Sequence, residues 1–489
     1  AYPQVFNNDA VDGSFGVTST IFLDEITPWG WPVSSLEVPN SAQRQIKTGS
    51  DQMVTSFSSK SEIALNLSTD KRFVTFMGYL APVGTIDVSN SNTPFVIDST
   101  NPVPGAYYRV VAKLDQHGRF TFTKSNAYSG NNGRAAILNA AANVIYTAGN
   151  AGNGSNPQPA GVIVGAGTQI LTPSNQPLSA QPDPALPTPV GSFSVTALGD
   201  KADKVGKDTN FRGLTIFNNV VYLTKGSGSN GVNTVYFIDT SGPANSSGNP
   251  AACPNGTGLP AAGAALPTTP IIYSSSNLAS KGVYPYNICV LNGFTTVLAK
   301  NATTGFPFGL WFANATTLYV ADEGDGTNTF SGGTYTDAAA QTTAGLQKWV
   351  FDSTAGQWKL AYVLSAGLNL GAPYTVEGYP TGTNGTTGLP WSPATDGLRN
   401  LTGHLNRNGT VTIYAITSTV SGSGDQGADP NKLVEITDNL AATTLPAGES
   451  FKTLRTARFA EVLRGVSFTP GTGVPPDRDD DDDGRHDWR

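Results

Sequence analysis

Apolar and polar positions recur along this chain in one unit. An apolar segment is followed by a turn of Asn, Asp or Gly, then by a second apolar segment carrying an aromatic, and a Gly-rich turn closes it. The unit is read in GRAAILNAAANVIYTAGNAGNG (133–154), FRGLTIFNNVVYLTKGSGSNG (211–231), FGLWFANATTLYVADEGDG (308–326) and LRNLTGHLNRNGTVTIYAITS (398–418). A degenerate copy, SEIALNLSTDKRFVTFMGYLAPVG (61–84), precedes them. Apolar runs of this length, split by such turns, predict β-hairpins.

Aligned anchor positions fall at Thr75, Tyr146, Tyr222, Tyr319 and Tyr414, spaced 71, 76, 97 and 95 residues apart. Between them lie further strand pairs, YYRVVAKLDQHGRFTFT, GVIVGAGTQILTP with GSFSVTALG, TVYFIDT, and LQKWVFDSTAGQWKLAYVL. Two hairpins per period make four strands per period, the blade of a β-propeller. The chain is therefore expected to be all-β. EVLRGVSFTPG (461–471) is a first strand without a second hairpin, and STIFLDEITPWGWPVSSLEV (19–38) is a strand pair without a first. Joined, they complete a composite blade and close the ring. The count is six blades, or seven if residues 275–305 hide a partial unit. Residues 1–471 are one propeller domain with inserted loops, and 472–489 form an acidic tail expected to be disordered.

TTLYVADEGDG resembles the strand-and-turn signature of NHL-type and YVTN-type propeller repeats, and LRGVSFTPG is similar to the opening strand of the YVTN type. The resemblance covers about a third of the chain and implies the fold. It implies little about function, because propellers host enzymes, adhesion modules and surface-layer proteins.

Composition supports short strands and turns. Charged residues make up 13% of the 489 residues, while 55 Gly and 33 Pro supply turns; average soluble domains are about 25% charged. Low charge with 38% apolar residues excludes a wholly disordered chain. Net charge is −7, and seven Asp against three Arg in the last thirteen residues leave the body at −3. Nucleic acid and anionic membranes are therefore discounted as partners. No apolar run reaches the ~18–20 residues of a membrane-spanning helix. A start at Ala1 without Met is read as a processed, exported form, secreted or held at the cell surface.

Cys253 and Cys289 are the only cysteines. In an oxidising compartment they are expected to form one disulfide, worth about 3 to 4 kcal/mol for a loop of this length; two free buried thiols are the alternative. Glycosylation candidates are Asn66, Asn153, Asn245, Asn255, Asn301, Asn314, Asn384, Asn400 and Asn408, a number close to chance in a chain so rich in Asn, Ser and Thr.

Catalytic signatures are sparse. GSGSNG (226–231) is followed by a strand and not a helix, so it reads as a hairpin turn and not a dinucleotide loop. His117, His404 and His486 stand in a turn, a repeat strand and the tail, with no HExxH and no G-x-S-x-G elbow. Asp322, Glu323 and Asp325 form the densest acidic cluster of the body, and Asp24 with Glu25 form a second. Such carboxylates either ligate Ca²⁺ or bond backbone amides in turns. Arg134, Arg212, Arg399 and Arg464 recur at the start of the first strand, with Glu62 and Phe308 at the other two positions. In a propeller these positions face the channel, where converging guanidinium groups bind carboxylate or phosphate; alternatively each Arg bonds loop carbonyls between blades. Trp29, Trp31 and Trp391 are candidates to stack sugars, or to pack blades.

The tail DRDDDDDGRHDWR places Asp479, Asp481 and Asp483 at positions one, three and five of a calcium loop and Gly484 at six, but position twelve falls beyond residue 489. A solvated tail is the simpler reading. The expected function is that of an extracellular, non-catalytic propeller for surface structure or self-assembly, with the N-terminal AYPQVFNND exchanged between subunits, or with a cell-surface partner, glycan or polyanion as ligand. The alternative is a secreted lyase, lactonase or phosphoesterase with its site in the channel, helped by Ca²⁺.

Overall fold

Each of the five repeat anchors lies on the second strand of a sheet, paired on both sides. The computed structural model describes residues 7–8, 12–43, 52–57, 63–97, 99, 101, 103–150, 167–174, 210–226, 232–241, 256–269, 288–297, 305–385 and 387–472. Among these the chain is an all-β propeller of five antiparallel blades. Blade one pairs Asn66–Leu67, Phe73–Tyr79, Arg109–Asp115 and Phe120–Ser125 in order from the axis outward. Blade two holds Gly133–Asn139, Val144–Gly149 and Thr168–Leu171; the segment GSFSVTALG, expected as its outer strand, lies outside the described residues. Blade three holds Leu214–Phe217, Val220–Lys225, Thr234–Ile238 and Ile288–Val290. Blade four holds Pro307–Asn314, Thr317–Asp322, Gly345–Asp352 and Gln357–Leu364. Blade five holds Ala394–Leu405, Thr410–Val420, Lys432–Asn439 and Lys452–Thr456.

The count of six blades, or seven, is not reproduced. Ile288–Val290, inside the segment that was to hide a seventh unit, is the outer strand of blade three. The two halves of the composite sixth blade do share one place, between blades five and one, but they do not pair into a sheet. Residues 461–469 contain no strand. They are tied to blade five through the Leu463 amide and carbonyl on Asn431 and the Arg464 carbonyl on Asn400. On the other side, a Cβ on Gly465 would stand 2.3 Å from the Ile63 carbonyl oxygen of blade one, so only glycine permits the approach. The hairpin Phe22–Ile26/Pro32–Glu37 forms a two-stranded sheet of its own. Its inner residues divide between the neighbours: Leu23 joins the Val74, Phe76 and Val110 core of blade one, while Ile26 joins Tyr414, Ile416 and Leu454 of blade five together with Leu463, Val466 and Phe468. An Asp24–Arg455 ion pair fixes the hairpin to the outer strand of blade five. The segment therefore works as a wedge. Hydrophobic burial closes the ring there without a ladder of backbone hydrogen bonds.

Second-strand residues also join blade to blade. The Thr75 hydroxyl donates to the Ala136 carbonyl (2.7 Å) and the Thr224 hydroxyl to the Phe308 carbonyl. Tyr319 donates to Asp438 of blade five, which also accepts from Tyr362 and pairs with Lys348 at 2.9 Å, both charged side chains being fully buried. Lys348 in turn donates to Tyr362 and to the Asn439 carbonyl (2.7 Å), so the buried charges carry full hydrogen bonding.

Candidate functional site

The inner strands begin close together around the axis. A Cβ on Gly213 would meet the Phe308 carbonyl oxygen at 2.0 Å, so the small residue after Arg212 lets blade three press against blade four. This approach stacks three of the repeat-start positions. The guanidinium groups of Arg212 and Arg399 lie over the Phe308 ring, with centroid distances of 5.5 and 5.2 Å. Phe308, which breaks the arginine pattern in sequence, is thus the platform that two of the arginines share. Arg399 is buried and bonded through Nε and Nη2 to one Glu323 oxygen, at 3.1 Å each. Arg134, also buried, donates to Asn210 and to the Phe211 carbonyl (3.2 Å). Arg464 is half-buried in the wedge. Of Arg134, Arg212, Arg399 and Arg464, the structure places Arg212 and Arg399 over one ring, while Arg134 bonds the connection between blades. Glu62 lies outside the described residues.

The acidic cluster sits beside this mouth, where the second strand of blade four ends. Asp322 is buried and accepts from the Phe306 and Gly324 amides (2.9 and 3.0 Å) and from Gln347 (2.9 Å); burial pushes its pKa up to about 6. Glu323 holds Arg399. Asp325 is exposed and caps the amide of Thr327 at 2.8 Å. Their oxygens thus serve separate partners, as turn carboxylates do. Among the described residues no group of three or more His, Cys, Asp or Glu is arranged to hold a metal. Asp479, Asp481 and Asp483 lie outside the described residues, as does His486.

Sequence reasoning passed over the carboxylates that complete this region. Asp396, at the start of the inner strand of blade five, accepts from Gln341 (2.7 Å), Gln426 (2.6 Å) and the Gly326 amide (2.9 Å), so that it knots three loops together. Burial, with help from Asp325 and Glu323, raises its pKa to about 7. Asp429 accepts from Tyr379, Thr419 and Ser423, and burial pushes it up to about 6. A lone Asp before a repeat Gly, in ATDGLRN, was the available signal. Its partners come from loops 55 and 30 residues away.

The remaining candidates separate cleanly. Cys289 is buried and disulfide-bonded, while Cys253 lies outside the described residues. Asn66, Asn384 and Asn400 spend their side-chain amides on the carbonyls of Ala136, Gly422 and Arg464. Asn314 and Asn408 instead accept from following Thr residues in turns, Asn408 being exposed. Asn153, Asn245, Asn255 and Asn301 lie outside the described residues. His117 sits in the exposed turn 115–119, and His404 packs against Tyr414 and Phe468. Trp391 packs beside Phe57, Val376 and Tyr379, whereas Trp29 and Trp31, at the tip of the wedge hairpin, are 74% and 71% exposed. Among the described residues no helix is long and apolar enough to cross a membrane.

No family profile matches this chain, and no curated protein sequence matches it. Among solved structures, it is similar to a protein from Lactobacillus plantarum at 9% identity, covering 73% of this chain and 80% of that one with a TM-score of 0.28. An ulvan lyase bound to a glucuronate–sulfated rhamnose saccharide is similar at 9% identity, over 94% and 92% of the two chains, with a TM-score of 0.29. A luciferin-regenerating enzyme is similar at 7% identity, over 83% and 96%, with a TM-score of 0.23. Likenesses of this size carry no argument about what this chain binds or does.

Proposed function

We propose that the protein is an extracellular, non-catalytic interaction propeller that associates with further copies of itself through the wedge hairpin. The observation that carries this reading is the exposure of Trp29 and Trp31, 74% and 71%, on a hairpin that also exposes Phe22 and Val33. Indole surface left in water on a rigid support is costly, and tryptophan is the residue most concentrated at the energetic centres of interfaces. The hairpin is a two-stranded sheet, and such short sheets present edges that accept a further strand. The mouth of the channel supports the non-catalytic part. Its buried carboxylates and Arg399 are held by one another, by glutamines and by backbone amides, which is the behaviour of a scaffold.

This differs in one respect from exchange of the N-terminal segment. Asn7–Asn8 pairs with Asp12–Gly16 of its own chain, and the hairpin is ion-paired within its own ring, so the contact between copies uses the hairpin's outer face. Sedimentation velocity on the full chain tests the reading. Wild type should associate with rising concentration, and Trp29→Ala/Trp31→Ala should remain monomeric. Wild type that stays monomeric throughout, or turnover of esters, lactones or uronic-acid polymers, would overturn it.

A further inference from the structure

Tyr222 repeats Tyr146 and Tyr319 in position but not in bonding. The Tyr146 hydroxyl donates to the Pro267 carbonyl at 2.7 Å and Tyr319 to Asp438. The Tyr222 hydroxyl has no hydrogen-bond partner among the described residues, although the side chain is only 6% exposed. It opens on a cavity of about 410 Å³ between blades three and four. This cavity lies at the end of the inner strands remote from Arg212 and Phe308, beside the turns that follow Leu214–Phe217 and Pro307–Asn314.

The walls define what fits. Phe217 and Phe312 stack at 4.6 Å with their planes 9° apart, Tyr222 leans on Phe312 at 4.6 Å, and Trp358 meets Phe312 edge-on at 5.8 Å. The segment 259–264, from Leu259 through three alanines, lines the facing side. Among the described residues no charged side chain lines it. Burial raises the Tyr222 pKa, so the phenol stays neutral and offers its proton. At the rim the turn residues Asn218 and Asn219 adopt left-handed φ of 47° and 59° and remain exposed. A volume near the lower end of small-molecule sites, aromatic walls and one unsatisfied donor form the usual composition of a pocket for a compact ligand.

We infer that the cavity between blades three and four binds a neutral, flat ring compound bearing one hydroxyl or carbonyl oxygen, which accepts the Tyr222 hydrogen bond. The charge of the ligand is the specificity element, because an anion would be desolvated with no cation among the described lining residues to receive it.

Isothermal titration of the full chain with 2-naphthol, and with 2-naphthoate as the charged counterpart, tests this. One 2-naphthol should bind per chain, and 2-naphthoate at least about tenfold more weakly. Tyr222→Phe, which keeps the ring, should weaken 2-naphthol about five- to tenfold. Ala315→Trp, at an exposed lining position, should abolish binding by filling the mouth. Ala262→Trp, exposed on the facing segment, serves the same purpose should circular dichroism show Ala315→Trp to be misfolded. Absence of 2-naphthol binding, equal binding of the two probes, or binding unchanged in a folded filled variant would overturn the inference.

Discussion

Tyr222 and Tyr319 stand 97 residues apart at one position of the repeat, yet the two blade interfaces that they face are built differently. Between blades four and five, Tyr319 meets the fully buried Asp438–Lys348 pair, and Tyr362 completes the network. Between blades three and four, Tyr222 meets aromatic rings and an open cavity. The same strand position thus serves a specific polar lock in one place and a pocket wall in the other. What differs is the facing strand: Lys432–Asn439 brings Asp438 to the first interface, whereas Pro307–Asn314 brings Phe312 to the second.

The largest break in this comparison should come from Asp438→Ala. It leaves Lys348 buried without its carboxylate and should cost about 3–5 kcal/mol in denaturant unfolding. Tyr319→Phe removes one hydrogen bond to a charged acceptor and should cost about 1.5–3 kcal/mol. Tyr222→Phe removes none, and its unfolding midpoint should stay within about 0.5 kcal/mol of wild type. Equal losses in the two Tyr→Phe variants would show that both hydroxyls are bonded and that the interfaces do not differ as described.

A smaller effect should appear with pH. Burial, with Asp438 alongside, raises the Glu449 pKa from 4.5 to about 7, and Asp396 rises to about 7 near the mouth of the channel. The folded chain therefore keeps protons that the unfolded chain has released. Stability contributed by these groups is present below about pH 4 and is lost as pH rises to about 7. Thermal midpoints should fall over that range, and Glu449→Gln should flatten part of the slope. A midpoint that rises from pH 4 to 7, with no change in slope for the variant, would contradict the assignment.

Much of the blade plan was legible because a strand's side chains alternate and its turns use few residue types. The anchors Thr75, Tyr146, Tyr222, Tyr319 and Tyr414 located every second strand. The composite blade was misjudged for a related reason: EVLRGVSFTPG has the pattern of an inner strand, but its backbone is bonded to Asn400 and Asn431 side chains instead of to a sheet. The outer strand Ile288–Val290 was misplaced because about fifty residues separate it from Thr234–Ile238, and an insertion of that length hides pairing from any local pattern. At the mouth, recurrence revealed the arginines but not the roles of Phe308 and Asp396, each of which depends on partners from other blades.

Periodicity and composition alone determined an all-β propeller with hairpin blades, because alternation and turn chemistry act within a few residues of the chain. Tertiary structure alone decided that five blades and a wedge close the ring, that Arg399 belongs to Glu323, and that the Trp29–Trp31 tip faces outward. It also decided that Tyr222 lines a cavity while Tyr319 is locked. Those outcomes depend on which strand packs opposite, and contact across a blade interface leaves no period in the sequence.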